Sequence, residues 1–160
     1  MCLPGWTIFE GTCFRRVDTE IKGEQLGTLC ESLKKSASHK AIGATILKVE
    51  TNRFLLDKFV RTGTGKSTYW IGLIFSGENQ DWSWVDGSTV DYANWMTGHP
   101  KKGYYCARMS KDDGKWESLP CNKRTNPYIC QYLPSGMLTS IFFCFNAKYF
   151  IDLFIFISIY

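Results

Sequence analysis

Histidine is scarce in this 160-residue chain, which has two, and no C-x2-C pair is present, so the ligand spacing of a structural zinc site is missing. A phosphate loop is missing too. Counted back from Gly65-Lys66-Ser67, the position that G-x-x-x-x-G-K-[ST] reserves for glycine holds Val60, so "RTGTGKST" reads as a turn between a helix and a strand beginning at Tyr69. There is no Asn-x-Ser/Thr acceptor for N-glycosylation, no repeat of fixed period and no linker that would split residues 1–132. The opening "MCLPGWTIFEGTCF" does not have the basic-then-apolar order of a secretory leader. A cysteine and a histidine alone do not make a nucleophile and its base, and nothing else supports catalysis, so the expectation is no enzyme. No nucleic-acid module is recognisable either, which sets that class of partner aside.

What the chain has in excess is cysteine and aromatic residues: seven Cys, and 16% Phe, Trp and Tyr. Cysteine at this density usually means disulfides formed in an oxidising compartment, so a secreted or extracellular protein is expected. The formal net charge of +4 is unevenly spread. Between Thr97 and Arg124, seven basic residues (Lys101, Lys102, Arg108, Lys111, Lys115, Lys123, Arg124) face only Asp112, Asp113 and Glu117, and elsewhere the signs cancel. Such a field attracts sulfated sugars, anionic lipid or acidic protein faces, unless it is simply solvated.

Hydrophobic periodicity gives two helices followed by strands. "GEQLGTLCESLKKSAS" sets Leu26, Leu29, Cys30 and Leu33 at helical spacing, and "ETNRFLLDKFV" repeats the pattern with Phe54, Leu55 and Phe59. The runs "YWIGLI", "WSWV", "YYCARM" and "PYICQ" then read as short strands divided by turns such as Asp86-Gly87 and Asp113-Gly114. Helices first and strands later argue for an α+β fold with little parallel sheet. Trp70, Ile71 and Leu73 are expected in a central strand, with Gly72 marking a close backbone approach. Trp82, Trp84, Trp95 and Trp116 are expected to be core residues before anything else.

The composition changes beyond residue 132, dividing the chain into a domain at 1–132 and an apolar tail at 133–160. Met137–Tyr160 holds thirteen Leu, Ile or Phe. Their insertion gain of roughly 4 to 8 kcal/mol is matched by a cost of roughly 5 to 7 for Lys148 and Asp152 near the middle. Three readings stand open: a membrane anchor, a disordered tail, or translated non-coding sequence, since most of these residues have codons built only of A and T.

The ordered set Cys2, Cys13-Phe14, Cys30, "YWIGL", "WSWVDG", "NW", "GHP", Cys106, "DGKW", Cys121 and "YIC" resembles the C-type lectin-like domain in its long form over residues 2–131. Six cysteines alone allow fifteen pairings; the resemblance implies Cys2-Cys13, Cys30-Cys130 and Cys106-Cys121, with Cys144 unpaired in the tail. It also implies two helices, small antiparallel sheets and a long loop region braced by disulfides. Sugar-binding members of the family hold calcium in that loop with a Glu-Pro-Asn or Gln-Pro-Asp triplet, an acid two residues before the next cysteine and an Asn-Asp pair after a tryptophan. Here the corresponding residues are His99-Pro100-Lys101, Tyr104 and Glu117-Ser118 after Trp116. Calcium needs six to eight oxygen ligands, and only Glu117, with weak help from Ser118, remains to supply them. The expectation is therefore a recognition module for carbohydrate or protein, with no cofactor. Its ligand surface would be His99, Lys101, Lys102, Tyr104 and Tyr105, with Glu117 and Ser118 nearby, and its ligand would be a glycan or protein, anionic ligands included. The alternative is a calcium-dependent lectin. Membrane attachment follows only if the tail is an anchor.

Overall fold

The computed structural model describes residues 1–33, 40–63, 68–78, 80–122 and 125–134. The chain opens with strands: β1 (Thr7–Phe9) and β2 (Thr12–Lys22) form an antiparallel hairpin ahead of any helix. This corrects the expected order of helices before strands. β2 buries only Cys13, Phe14 and Ile21 among many charged residues, so it has no alternating apolar signal. It is extended because it pairs with the last strand.

α1 (Leu26–Ser32) buries Leu26 and Cys30. A two-residue strand, β3 (Ile42–Gly43), leads to α2 (Val49–Leu55), which widens into a π-type turn over Leu56–Val60. The wider turn shifts the buried face, so Leu56 and Val60 join Leu55 and Phe59 in the core. Phe54 is only half-buried and stacks on Phe9, with ring centroids 4.3 Å apart. The remaining strands are β4 (Thr68–Ser76), β5 (Asp81–Trp84), β6 (Cys106–Ser110), β7 (Trp116–Leu119) and β8 (Thr125–Tyr132).

The small antiparallel sheets join into one, in the order β1-β2-β8-β4-β6-β7, with β3 on β8 and β5 on β4. The junction is the one parallel pairing among the described strands, Trp70 opposite Tyr128. Both faces of β4 are covered. Tyr69, Ile71 and Leu73 enter the cluster with α2, whereas Trp70 enters the second cluster with Leu26, Cys30 and Tyr128. Gly72 is the close approach expected of it: a Cβ there would lie 2.5 Å from the carbonyl oxygen of Gly43.

Three disulfides fasten this frame, in the pairing that the resemblance implies. Cys30–Cys130 ties α1 to β8, Cys106–Cys121 ties the start of β6 to the segment after β7, and Cys2–Cys13 holds the N-terminus on β2. Between β5 and β6 lies a long irregular segment, residues 85–105. No helix among the described residues is long and apolar enough to cross a membrane. Residues 135–160, including Cys144, lie outside the described residues, and so do the readings of the tail.

Candidate functional site

The loop over residues 85–105 is irregular but firmly anchored. Trp116 of β7 is its post. The Trp116 N–H donates to Asn94 O (2.7 Å), Met96 N–H donates to Trp116 O (2.9 Å), and the indole Nε1–H donates to Asn52 Oδ1 on α2 (2.8 Å). Asn52 and Asn94 both donate side-chain amide hydrogens to Gly114 O. A buried indole with its N–H paired is a rigid support. Sequence reasoning missed Asn52 and picked out Asn94 only as part of "NW", without this anchoring role. For Asn52 the available signal was an amide on the buried side of a helix, which must find partners.

From this anchor the chain makes two tight turns. In the first, His99 N–H donates to Met96 O. In the second, Tyr104 N–H donates to Lys101 O, and Gly103 occupies the third position with φ +80°, where a type II turn requires glycine. The second turn lifts Lys101 and Lys102 at its tip, both exposed. The His99–Pro100 peptide between the two turns is cis.

Across from the loop, Ser118 of β7 is fully buried. Its N–H donates to His99 Nδ1 (2.9 Å), its Oγ lies 3.0 Å from the same nitrogen, and Lys101 N–H donates to that Oγ (2.7 Å). A nitrogen that accepts a backbone N–H carries no proton, so the ring is neutral with its hydrogen on Nε2. Burial first, then the charges of Lys101 and Arg108, hold its pKa below the usual histidine range against the opposing pull of Glu117. His99 and Ser118 thus form a clasp between loop and sheet. Glu117 is also engaged: its Oε2 accepts from Arg108 Nε (3.1 Å) and Nη2 (2.8 Å), with both side chains largely buried.

The predicted surface residues therefore separate. Ser118 lies inside the protein, Glu117 and His99 are tied to protein partners, and Lys101, Lys102, Tyr104 and Tyr105 remain at the surface. Tyr105 is half exposed, yet its backbone is held on both sides: Tyr105 N–H donates to Leu119 O and Phe75 N–H to Tyr105 O. The basic field thins in the same way. Arg108 is paired, Lys115 lies 3.5 Å from Asp113, Lys111 Nζ reaches Gly63 O, and Lys123 and Arg124 lie outside the described residues.

Beside the lysine turn is a groove of about 360 Å³ that sequence reasoning did not find. Phe75, Gln80 and Trp82 of the β4–β5 hairpin form one wall, and the residues from Pro100 to Tyr105 form the other. Phe75 and Trp82 sit opposite each other in the hairpin register, with ring centroids 6.0 Å apart, and Tyr105 lies 5.7 Å from Phe75. The signal was available, since two aromatics placed about a turn that contains Gly77 form a cross-strand pair. Trp82 in turn meets Trp95 at 4.9 Å, and Trp95 meets Trp116 at 5.8 Å, so the groove wall continues into the core. Among the described residues no three His, Cys, Asp or Glu side chains gather as metal ligands do.

Comparison with known proteins agrees with this architecture. The family model described as "Lectin C-type domain" matches residues 28–132. Rheacalcin-1 of Rhea americana is 30% identical over 141 residues, covering 81% of this chain and 94% of the relative. The alpha-N-acetylgalactosamine-specific lectin of Patiria pectinifera is 31% identical over 136 residues, covering 80% and 78%. Among solved structures, the C-type lectin CEL-I from Cucumaria echinata superposes with a TM-score of 0.74 at 20% identity, covering 82% of this chain and 96% of its own, a likeness of fold.

Proposed function

The chain belongs to the C-type lectin domain family, a family of binding modules and not of enzymes, and from that premise we propose that it is an extracellular carbohydrate-recognition domain that binds its ligand without calcium. The observation that carries this reading is the clasp. At the positions where the resemblance puts calcium ligands, His99 Nδ1 is taken by Ser118, Ser118 Oγ is taken by Lys101 N–H, and Glu117 is taken by Arg108. The donor set does not fit a calcium ion. It offers one carboxylate already neutralised by a guanidinium, one hydroxyl and an imidazole nitrogen, against a need for six to eight oxygens. The Lys101 charge beside it adds repulsion. The direct bonds between loop and sheet also supply, from the chain itself, the fastening a bridging ion would provide.

Extracellular location is supported by the three disulfides, which persist in oxidising compartments. The test is a glycan array probed with the full chain in calcium and again in excess chelator. The reading predicts the same glycans with the same signal in both. Loss of all glycan signal in chelator makes the chain a calcium-dependent lectin instead.

A further inference from the structure

We propose that the groove between the β4–β5 hairpin and the loop from Pro100 to Tyr105 is the carbohydrate site, and that it takes a sulfated saccharide. The inference rests on the calcium-free reading, because without an ion the 99–101 segment offers a sugar no coordination. Three features of the groove favour this ligand.

The first is its shape. At about 360 Å³ it is a concave site near the lower end of the size range for small-ligand pockets, roughly 300–1,000 Å³. A protein partner would instead need a contact of about 800 Å² per side. The second is its surface. Phe75, Trp82 and Tyr105 present aromatic rings; hydrogen bonds to Phe75 and Leu119 fix the Tyr105 backbone, and its ring rests against that of Phe75 with centroids 5.7 Å apart. A ring held in place before binding loses little entropy when a pyranose packs on it. Gln80 gives the site a polar group: its Nε2 donates to Gly77 O (2.6 Å), which fixes the amide and leaves Oε1 to accept a hydroxyl hydrogen.

The third feature is charge. Lys101 and Lys102 line the groove, are exposed, and have no carboxylate partner among the described residues, unlike Arg108 and Lys115. The nearest acids on the facing hairpin, Glu78 and Asp81, are exposed but do not line the groove. The site is thus cationic at its loop end. Two adjacent ammonium groups beside an aromatic wall suit a sugar that carries a sulfate, with the ring on the aromatics and the sulfate at the lysines.

The test uses the full chain in excess chelator, with a heparin-derived hexasaccharide and the same hexasaccharide stripped of sulfate but retaining its carboxylates. Binding is followed by titration calorimetry. The sulfated probe should bind, and binding should weaken as salt rises. The double substitution Lys101→Gln and Lys102→Gln should lower affinity about five- to tenfold, as expected for two exposed charge contacts. Tyr105→Ala should lower it too, while Arg53→Gln and Lys58→Gln, on α2 and the turn that follows it, should leave it unchanged. Thermal midpoints show that each variant is folded. Equal binding of both probes, or wild-type affinity in the double lysine or the Tyr105 variant, overturns the groove assignment even if the glycan array is indifferent to calcium. Binding that appears only when calcium is restored overturns the calcium-free reading on which it rests.

Discussion

Ser118 carries more of the loop than its size suggests. One buried hydroxyl accepts the Lys101 N–H and faces His99 Nδ1, while the Ser118 N–H donates to that nitrogen. Ser118→Ala should cost about 1–2 kcal/mol in a denaturant titration, the penalty for leaving such partners unpaired. The histidine half of the clasp depends on pH. Its pKa in the folded protein is lowered from the ordinary 6.5, so the unfolded chain binds the proton more readily. Stability from the neutral ring is therefore fully present above pH about 6.5 and is lost as pH falls below it toward the folded value. The charged groups facing the ring, Lys101, Arg108 and Glu117, all lie in this region. Stability measured from pH 7.5 down to 5 should fall in the wild type and fall less in His99→Gln; equal slopes would remove His99 from the clasp. At this scale the sequence was legible in part. The triplet His99-Pro100-Lys101 and the pair Glu117-Ser118 could be picked out as the positions the resemblance assigns to calcium ligands, but their hydrogen bonds to each other depend on a strand and a loop meeting, which no local pattern reports.

Among the elements, the ones with a clean period were readable and the ones held by partners were not. α1 has a cysteine at helical spacing with its leucines, and β4 is a continuous apolar run, as expected for a strand buried on both faces. β2 is rich in charge and stays extended because β8 pairs with it along most of its length. The π-type turn at the end of α2 adds residues to one turn, so Leu56 and Val60 enter a face that a 3.6-residue repeat assigns to others. The groove was hidden for a related reason: its walls come from β4, β5 and a loop segment that begins only at Pro100, well beyond the end of β5 at Trp84. The tie that matters most between elements is Cys30–Cys130, which closes a loop of 100 residues. Replacing both cysteines by alanine should cost about 4–5 kcal/mol in the chain-entropy model, against about 3 kcal/mol for the 15-residue loop of Cys106–Cys121. Denaturant midpoints of the two double variants give the comparison, and a reversed order would contradict it.

For the molecule as a whole, the family frame is kept, and the proposal is that chain contacts stand where an ion would. The mixed sheet, the two helices and the three disulfides form a scaffold that holds an irregular 21-residue loop in one shape through Trp116, Asn52, Asn94 and Ser118. Under the proposed calcium-free reading, these contacts, which come from the chain itself, order the loop in place of a metal. The most direct measurement is the thermal unfolding midpoint of the full chain titrated with calcium and then with chelator. An ion that binds the native state at a hundred times its dissociation constant would add about 2.7 kcal/mol of stability. The predicted result is a midpoint that does not move with either addition; a midpoint that climbs with calcium and returns with chelator would contradict the account.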